Sequence, residues 1–130
     1  MATQFFLKTP VAPETPPCLS IVVPVFNEAA TIASVIRTVL AQPLVKEVVI
    51  VEDGSSDGTW EALQGLPQED ERVKLYRHER NQGKGAALRT GFSKATAPIV
   101  LVQDADLEYD PNEYPVLAGP ILSGKADVVF

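Results

Sequence analysis

The stretch Leu19-Ser20-Ile21-Val22-Val23-Pro24 decides the fold class. It is apolar, largely β-branched and free of polar alternation, which predicts a strand buried on both faces, as in a parallel sheet. Downstream of it, Ile32, Val35, Ile36, Val39 and Leu40 recur at helical spacing, with Asn27 as a candidate cap and Pro43 closing the helix. The alternation then repeats. Strands are predicted at 48–51, 73–76, 99–102 and 126–130, and helices at 57–66, anchored by Trp60 and Leu63, and at 85–95, presenting Leu88 and Phe92. Pro111 starts a further helical segment that Pro115 and Pro120 keep short. Strands alternating with helices, with no internal repeat, predict an α/β, three-layer α/β/α architecture around a mainly parallel sheet.

Upstream of Leu19 the pattern stops. Pro10, Pro13, Pro16 and Pro17 fall in a stretch without periodicity, so residues 1–18 are expected to form a Pro-rich flexible arm and 19–130 the folded domain. A chain of 130 residues, 45% hydrophobic and 22% charged, is sufficient for one ordinary core. The formal charge of −6 argues against a nucleic-acid partner, since such proteins present a basic face. Cys18 is the sole cysteine, which excludes an internal disulfide and is expected to be a spare thiol in the arm. No apolar run approaches the roughly 20 residues that span a bilayer, and no basic-then-apolar leader opens the chain. A cytoplasmic location follows, with peripheral membrane contact left open.

In open α/β sheets, ligands bind beyond the carboxyl ends of the strands. Three of those ends carry acids here: Asn27-Glu28 after the first strand, Glu52-Asp53 after the second, and Asp104 with Asp106 after the fourth. Asp104-Ala105-Asp106 places two carboxylates two residues apart, on one side of an extended chain. Hard oxygen donors in that arrangement suit Mg²⁺ or Mn²⁺, which neutralises charge on a leaving diphosphate, and Glu108 is a candidate third ligand. A solvated acidic turn is the alternative for any isolated pair of this kind.

Glu52-Asp53-Gly54-Ser55-Ser56-Asp57-Gly58-Thr59 is a strand–turn–helix junction. Asp53 is the candidate ligand contact there, for a base N–H or ribose hydroxyl; Ser55, Ser56 or Asp57 can cap the next helix, and Asp57 is read as structural. Asn81-Gln82-Gly83-Lys84-Gly85-Ala86-Ala87 opens a helix whose glycines and N-terminus suit an anion, with Lys84 adding a point charge; tight packing explains the glycines equally well. It is not a Walker A loop, because His78 stands where the first glycine belongs and Gly85 follows the lysine. The G-x-G-x-x-G fingerprint is absent after the first strand, which disfavours a dinucleotide-binding domain. His78, the single histidine, is expected to be a packed or capped ring, and Trp60 and Tyr109 packing aromatics.

Taken in order, these four motifs, beginning with Ile21-Val22-Val23-Pro24-Val25-Phe26-Asn27-Glu28 and ending with Asp104-Ala105-Asp106-Leu107-Glu108, make the region from Leu19 to Phe130 resemble the family-2 glycosyltransferases of GT-A fold. The likeness is to bacterial and dolichol-phosphate mannose synthase-like members. The resemblance implies a nucleotide-sugar donor, GDP- or UDP-linked, with Pro24, Phe26, Glu28 and Asp53 around base and ribose. It implies Lys84 and its glycines in the donor pocket, Asp104 near ribose or metal, and Asp106 as principal metal ligand. Glu108 stands where such members carry a glutamine ligand. The acceptor implied is a polyprenyl phosphate at a membrane surface, reached by inverting displacement. Family members continue beyond the strand ending at Phe130 into an acceptor-binding half that supplies arginines and often a general base. The expectation is therefore a domain truncated at its C-terminus, with no catalytic base in this segment. A non-catalytic nucleotide-sugar-binding or regulatory module is the alternative.

Overall fold

The computed structural model describes residues 17–105 and 111–114. Its order is β1 (Leu19–Val25), α1 (Ile32–Leu40), β2 (Val45–Glu52), α2 (Thr59–Leu63), α3 (Leu66–Glu69), β3 (Val73–Arg77), α4 (Lys84–Lys94), β4 (Ile99–Val102) and a 3-10 turn, Pro111–Glu113. The four strands form one parallel sheet in the order β3-β2-β1-β4. Residues 1–16 of the predicted arm, Asp106, Glu108, Tyr109 and the predicted strand 126–130 lie outside the described residues.

Continuous apolar runs become strands here because both faces are covered. On one face Ile21, Val23, Val25, Val48 and Ile50 pack with Ile32, Val35, Ile36 and Val39 of α1, and with Leu63 and Leu66. On the other, Val22, Val49 and Val51 meet Ala87 of α4, with Leu88 and Tyr76 alongside. The result is the expected α/β/α sandwich, with its core centred on β1 and β2.

Four expectations need correction. Cys18 is not in a flexible arm: it is buried, its N–H donates to Leu44 O at 2.9 Å, and its carbonyl accepts from Ile99 N–H at 3.3 Å. Burial raises its thiol pKa, so the thiol is a small core side chain. Asn27 does not cap α1; Thr31 occupies that position, and Asn27 sits in the left-handed region at φ 52°. The helix predicted over 57–66 is two short ones, because Pro67 lacks a donor and its ring excludes the preceding turn. Finally, α4 buries Ala87 and Gly91, and Phe92 is left 49% exposed. A Cβ at Gly91 would overlap Val22, so small residues let the helix backbone lie directly on β1.

Candidate functional site

The chain crosses from β1 through β2 to β3 on one side of the sheet, then returns to place β4 on the other side of β1. This reversal opens a crevice at the carboxyl ends of the strands, where adjacent connections depart in opposite directions. A cavity of about 310 Å³ occupies it, lined by Pro24, Val25, Phe26, Glu28, Asp53, Asn81, Lys84, Ala87, Asp104 and Ala105. Pro24, Phe26, Glu28, Asp53, Lys84 and Asp104, the six residues for which the family resemblance implies a donor pocket, all line this cavity. Phe26 is 47% exposed there, an apolar ring of the cavity lining held open to solvent.

The loop after β1 is fixed by the loop after β2. Asn27 N–H donates to Ser55 Oγ at 2.8 Å, and Asn27 Oδ1 accepts from Ser56 N–H at 2.9 Å. Glu28 N–H donates to Thr59 Oγ1 at 2.9 Å. Asp57 accepts from the Thr59 hydroxyl and N–H and from Ala29 N–H, and these bonds lower its pKa, led by the Thr59 hydroxyl. Asp57 thus ties the two loops together and leaves Glu28 to face the cavity. Gly54, at φ 74°, is required for a second reason besides its dihedral: a Cβ there would collide with the backbone of Arg80 and Asn81.

Glu52 and Asp53 are adjacent and point to different places, as alternation along a strand dictates. Glu52 is fully buried; its Oε1 accepts from Ser55 N–H at 2.6 Å, and Arg77 Nε stands 3.3 Å from its Oε2. The Arg77 guanidinium in turn lies 4.8 Å above the Trp60 ring, so Trp60 is the packing aromatic expected. Asp53 is 3% exposed and reaches the turn before α4. Its Oδ1 accepts from His78 Nδ1 at 2.7 Å and from Gln82 N–H at 3.0 Å. Its Oδ2 accepts from Gly83 N–H at 3.0 Å and Asn81 Nδ2 at 3.1 Å. All four acceptor positions of the carboxylate are engaged by its own chain.

Sequence reasoning took His78 for a packed ring and did not connect it with Asp53. The two are 25 residues apart, and only the pairing of β2 with β3 brings them together. Asn81 and Gln82 were quoted within a motif, but their bonds to Asp53 needed the same tertiary information.

At the mouth, Lys84 Nζ contacts Asp104 Oδ1 at 2.6 Å, joining the first turn of α4 to the end of β4. Beneath it the Tyr114 hydroxyl donates to Gln103 Oε1 at 2.7 Å, and burial raises the pKa of that phenol far above its ordinary value. Asp104 is a hard oxygen donor of the type a divalent cation takes, and at the cavity mouth it is paired with Lys84. Asp104 is the one described member of the predicted ligand set, since Asp106 and Glu108 lie outside the described residues. Among the described residues no three His, Cys, Asp or Glu side chains converge as a metal cluster, and no helix is long and apolar enough to cross a membrane.

Comparisons with known proteins identify the family. The family described as Glycosyl transferase family 2 matches residues 20–130. The undecaprenyl-phosphate 4-deoxy-4-formamido-L-arabinose transferase of Salmonella choleraesuis is 36% identical, over 86% of this chain and 34% of the relative. The chain thus spans about a third of the length of the curated relatives it matches. Among solved structures, a mannosyltransferase from Pyrobaculum calidifontis in complex with GDP-Man and Mn²⁺ superposes with a TM-score of 0.66 at 29% identity, covering 82% of this chain and 31% of the other. Glucosyl-3-phosphoglycerate synthase from Mycobacterium tuberculosis, in complex with Mn²⁺, UDP-glucose and phosphoglyceric acid, gives 0.68 at 30% identity, over 84% and 41%. The described sheet and its flanking helices are those of the GT-A fold.

Proposed function

We propose that this chain, which belongs to glycosyl transferase family 2, binds the nucleoside diphosphate of a sugar donor in the cavity beyond β1, β2 and β4. The observation that carries the reading is the meeting of Pro24, Phe26, Glu28, Asp53, Lys84 and Asp104 in one crevice. Phe26 offers its exposed ring as an apolar platform for a base, with Pro24 beside it. Glu28 faces the ribose and the polar edge of the base, and Asp53, its four acceptor positions already taken, shapes the pocket floor by holding the turn before α4. The N-terminus of α4 and the Lys84 ammonium supply positive potential for a diphosphate.

Asp104, with Asp106 and Glu108 as further oxygen donors, would hold Mg²⁺ or Mn²⁺. Such an ion, when bound, neutralises the charge that a departing diphosphate gathers. The reaction is transfer of the sugar: an acceptor oxygen bonds to the anomeric carbon while the bond to the diphosphate oxygen breaks, the diphosphate keeping the electron pair and the anomeric centre inverting. A polyprenyl phosphate is the acceptor class we favour, supported by the name of the Salmonella relative. Its phosphate oxygen is already ionised and needs no strong base. That acceptor would bring the chain to the cytoplasmic face of a membrane as a peripheral protein.

Calorimetric titration with GDP and UDP, each with and without Mn²⁺, tests the reading. One nucleotide is expected to bind, more tightly with Mn²⁺, and Asp104→Ala is expected to weaken the Mn²⁺-dependent part by about tenfold or more. A folded chain that binds neither nucleotide would reject it.

A further inference from the structure

We propose that His78 is a positioning residue of this pocket: it fixes the orientation of the Asp53 carboxylate, and through it the turn that starts α4. What the pocket binds rests on the reading above; the positioning role rests on geometry alone.

His78 directly follows β3, and its N–H donates to Glu52 O at 2.9 Å, continuing the strand ladder by one residue. Its ring is therefore anchored from the backbone, and its side chain is only 11% exposed. Nδ1 lies 2.7 Å from Asp53 Oδ1, and Nε2 lies 2.9 Å from Thr90 Oγ1 in the middle of α4. One imidazole thus spans the end of β2 and the body of α4. An ionised carboxylate only accepts, so Nδ1 carries the proton in the neutral as well as the charged ring. Nε2 then accepts from the Thr90 hydroxyl, or donates to it when the ring is charged.

Asp53 Oδ1 is shared between this ring and Gln82 N–H, while Oδ2 holds Gly83 N–H. The imidazole N–H on Oδ1, with Asn81 Nδ2 on Oδ2, adds to the two amides in fixing the plane of a carboxylate that otherwise swivels about its last bond. Gly83 is the N-cap of α4 at φ 95°, and Lys84 is the first residue of the helix. The chain of contacts from His78 to Asp53 to Gln82 and Gly83 therefore ends at the residue that reaches Asp104 across the cavity mouth.

Two near-isosteres separate this role from simple packing. The amide nitrogen of Asn stands where Nδ1 stands, so His78→Asn keeps a donor for Asp53 and gives up Thr90. That of Gln stands near Nε2, so His78→Gln keeps Thr90 and gives up Asp53. Thr90→Val removes the outer partner without touching the ring or Asp53. Each variant is read by hydrogen exchange of the Gln82 and Gly83 amides, by UDP and GDP affinity with Mn²⁺, and by melting temperature.

His78→Gln is expected to lose about tenfold in protection at both amides and about tenfold in affinity for whichever nucleotide the wild type binds. His78→Asn and Thr90→Val are expected to stay within about threefold on both readouts, even where their melting temperatures fall as far. Losses that follow melting temperature alone, or that are equal in the Asn and Gln variants, would overturn the proposal. If the wild type binds neither nucleotide, the donor-site reading fails while the amide protection still decides the role of His78.

Discussion

At the amino end of the sheet, Glu47 is buried among residues that all belong to its own fold. The Ser20 hydroxyl, the Thr96 N–H and the Thr96 hydroxyl all donate to its Oε2, at 2.5 to 2.8 Å, and Ala97 N–H completes the group on Ser20 Oγ at 2.9 Å. At the carboxyl end, Asp53 is just as buried and as fully bonded, yet beside it stand Asp104, the 60%-exposed Lys84 side chain and the open ring of Phe26. A buried, well-bonded carboxylate therefore does not by itself identify a site. What separates the two ends is the group of side chains that the carboxyl end holds in place without covering. The amino end closes the entry to β4; the carboxyl end builds a rigid floor and leaves a polar mouth above it.

The largest effect expected from this contrast is on stability, at the end with no proposed ligand. Glu47→Ala strands a buried hydroxyl and the donors of Thr96, and should cost about 3 kcal/mol, as for loss of several bonds to one charged group. Urea unfolding measures it. Nucleotide affinity of the folded fraction should stay unchanged. A variant that folds normally but no longer binds nucleotide would erase the distinction between the ends.

The strands were legible because parallel, doubly covered β structure leaves a local mark, as in Ile21-Val22-Val23 and Val48-Val49-Ile50-Val51. The acids of the cavity lining, Glu28, Asp53 and Asp104, were legible for a related reason, whereas Pro24 and Phe26 came from the family resemblance. Strand ends are local features, and acids recurring at three of them coincide with the rule that places ligands there. The buried face of α4 was not legible. Periodicity ranks large apolar residues first and chose Leu88 and Phe92, whereas the helix approaches β1 through Ala87 and Gly91, whose virtue is small size. His78 was missed on a different ground: its partners, Asp53 and Thr90, are 25 and 12 residues away. Asn27 failed as a helix cap because the loop after β2 offers it Ser55 and Ser56 first. In each case the missing information was which element lies against which.

A smaller effect, of opposite character, is expected at the mouth. Lys84→Met removes an exposed ion pair, which contributes about 0.5 kcal/mol or less to stability, so the melting temperature should hardly move. Affinity for the bound nucleotide with Mn²⁺ should nevertheless fall by about tenfold, because the ammonium is a cation of the cavity lining that can face a diphosphate. Mn²⁺ alone should bind the variant more tightly than the wild type, since Lys84 no longer competes for Asp104. Calorimetry resolves the two signs. Weakening of both would mean that Lys84 organises the metal site instead of competing with it.

The smallest effect is the acid response of the amino end. Burial pushes the Glu47 carboxyl up, but the Ser20 hydroxyl and the Thr96 N–H and hydroxyl, with Lys46 nearby, more than offset this, and the net pKa is lowered. Asp70 is lowered as well, chiefly by the Arg72 guanidinium, which donates to it while also holding Leu40 O at 2.9 Å and Val45 O at 3.3 Å. Groups with folded values below their unfolded ones stabilise the fold fully above the unfolded value, near pH 4, and lose that contribution as pH falls through the folded value. The urea midpoint should therefore hold down to about pH 5 and decline below it. In Glu47→Gln the decline should be shallower, from a lower plateau, because one lowered carboxyl is gone while Asp57 and Asp70 remain. An acid slope identical to the wild type would show that Glu47 contributes geometry without charge, and would leave Asp70 and Arg72 as the ionic hold on this end of the sheet.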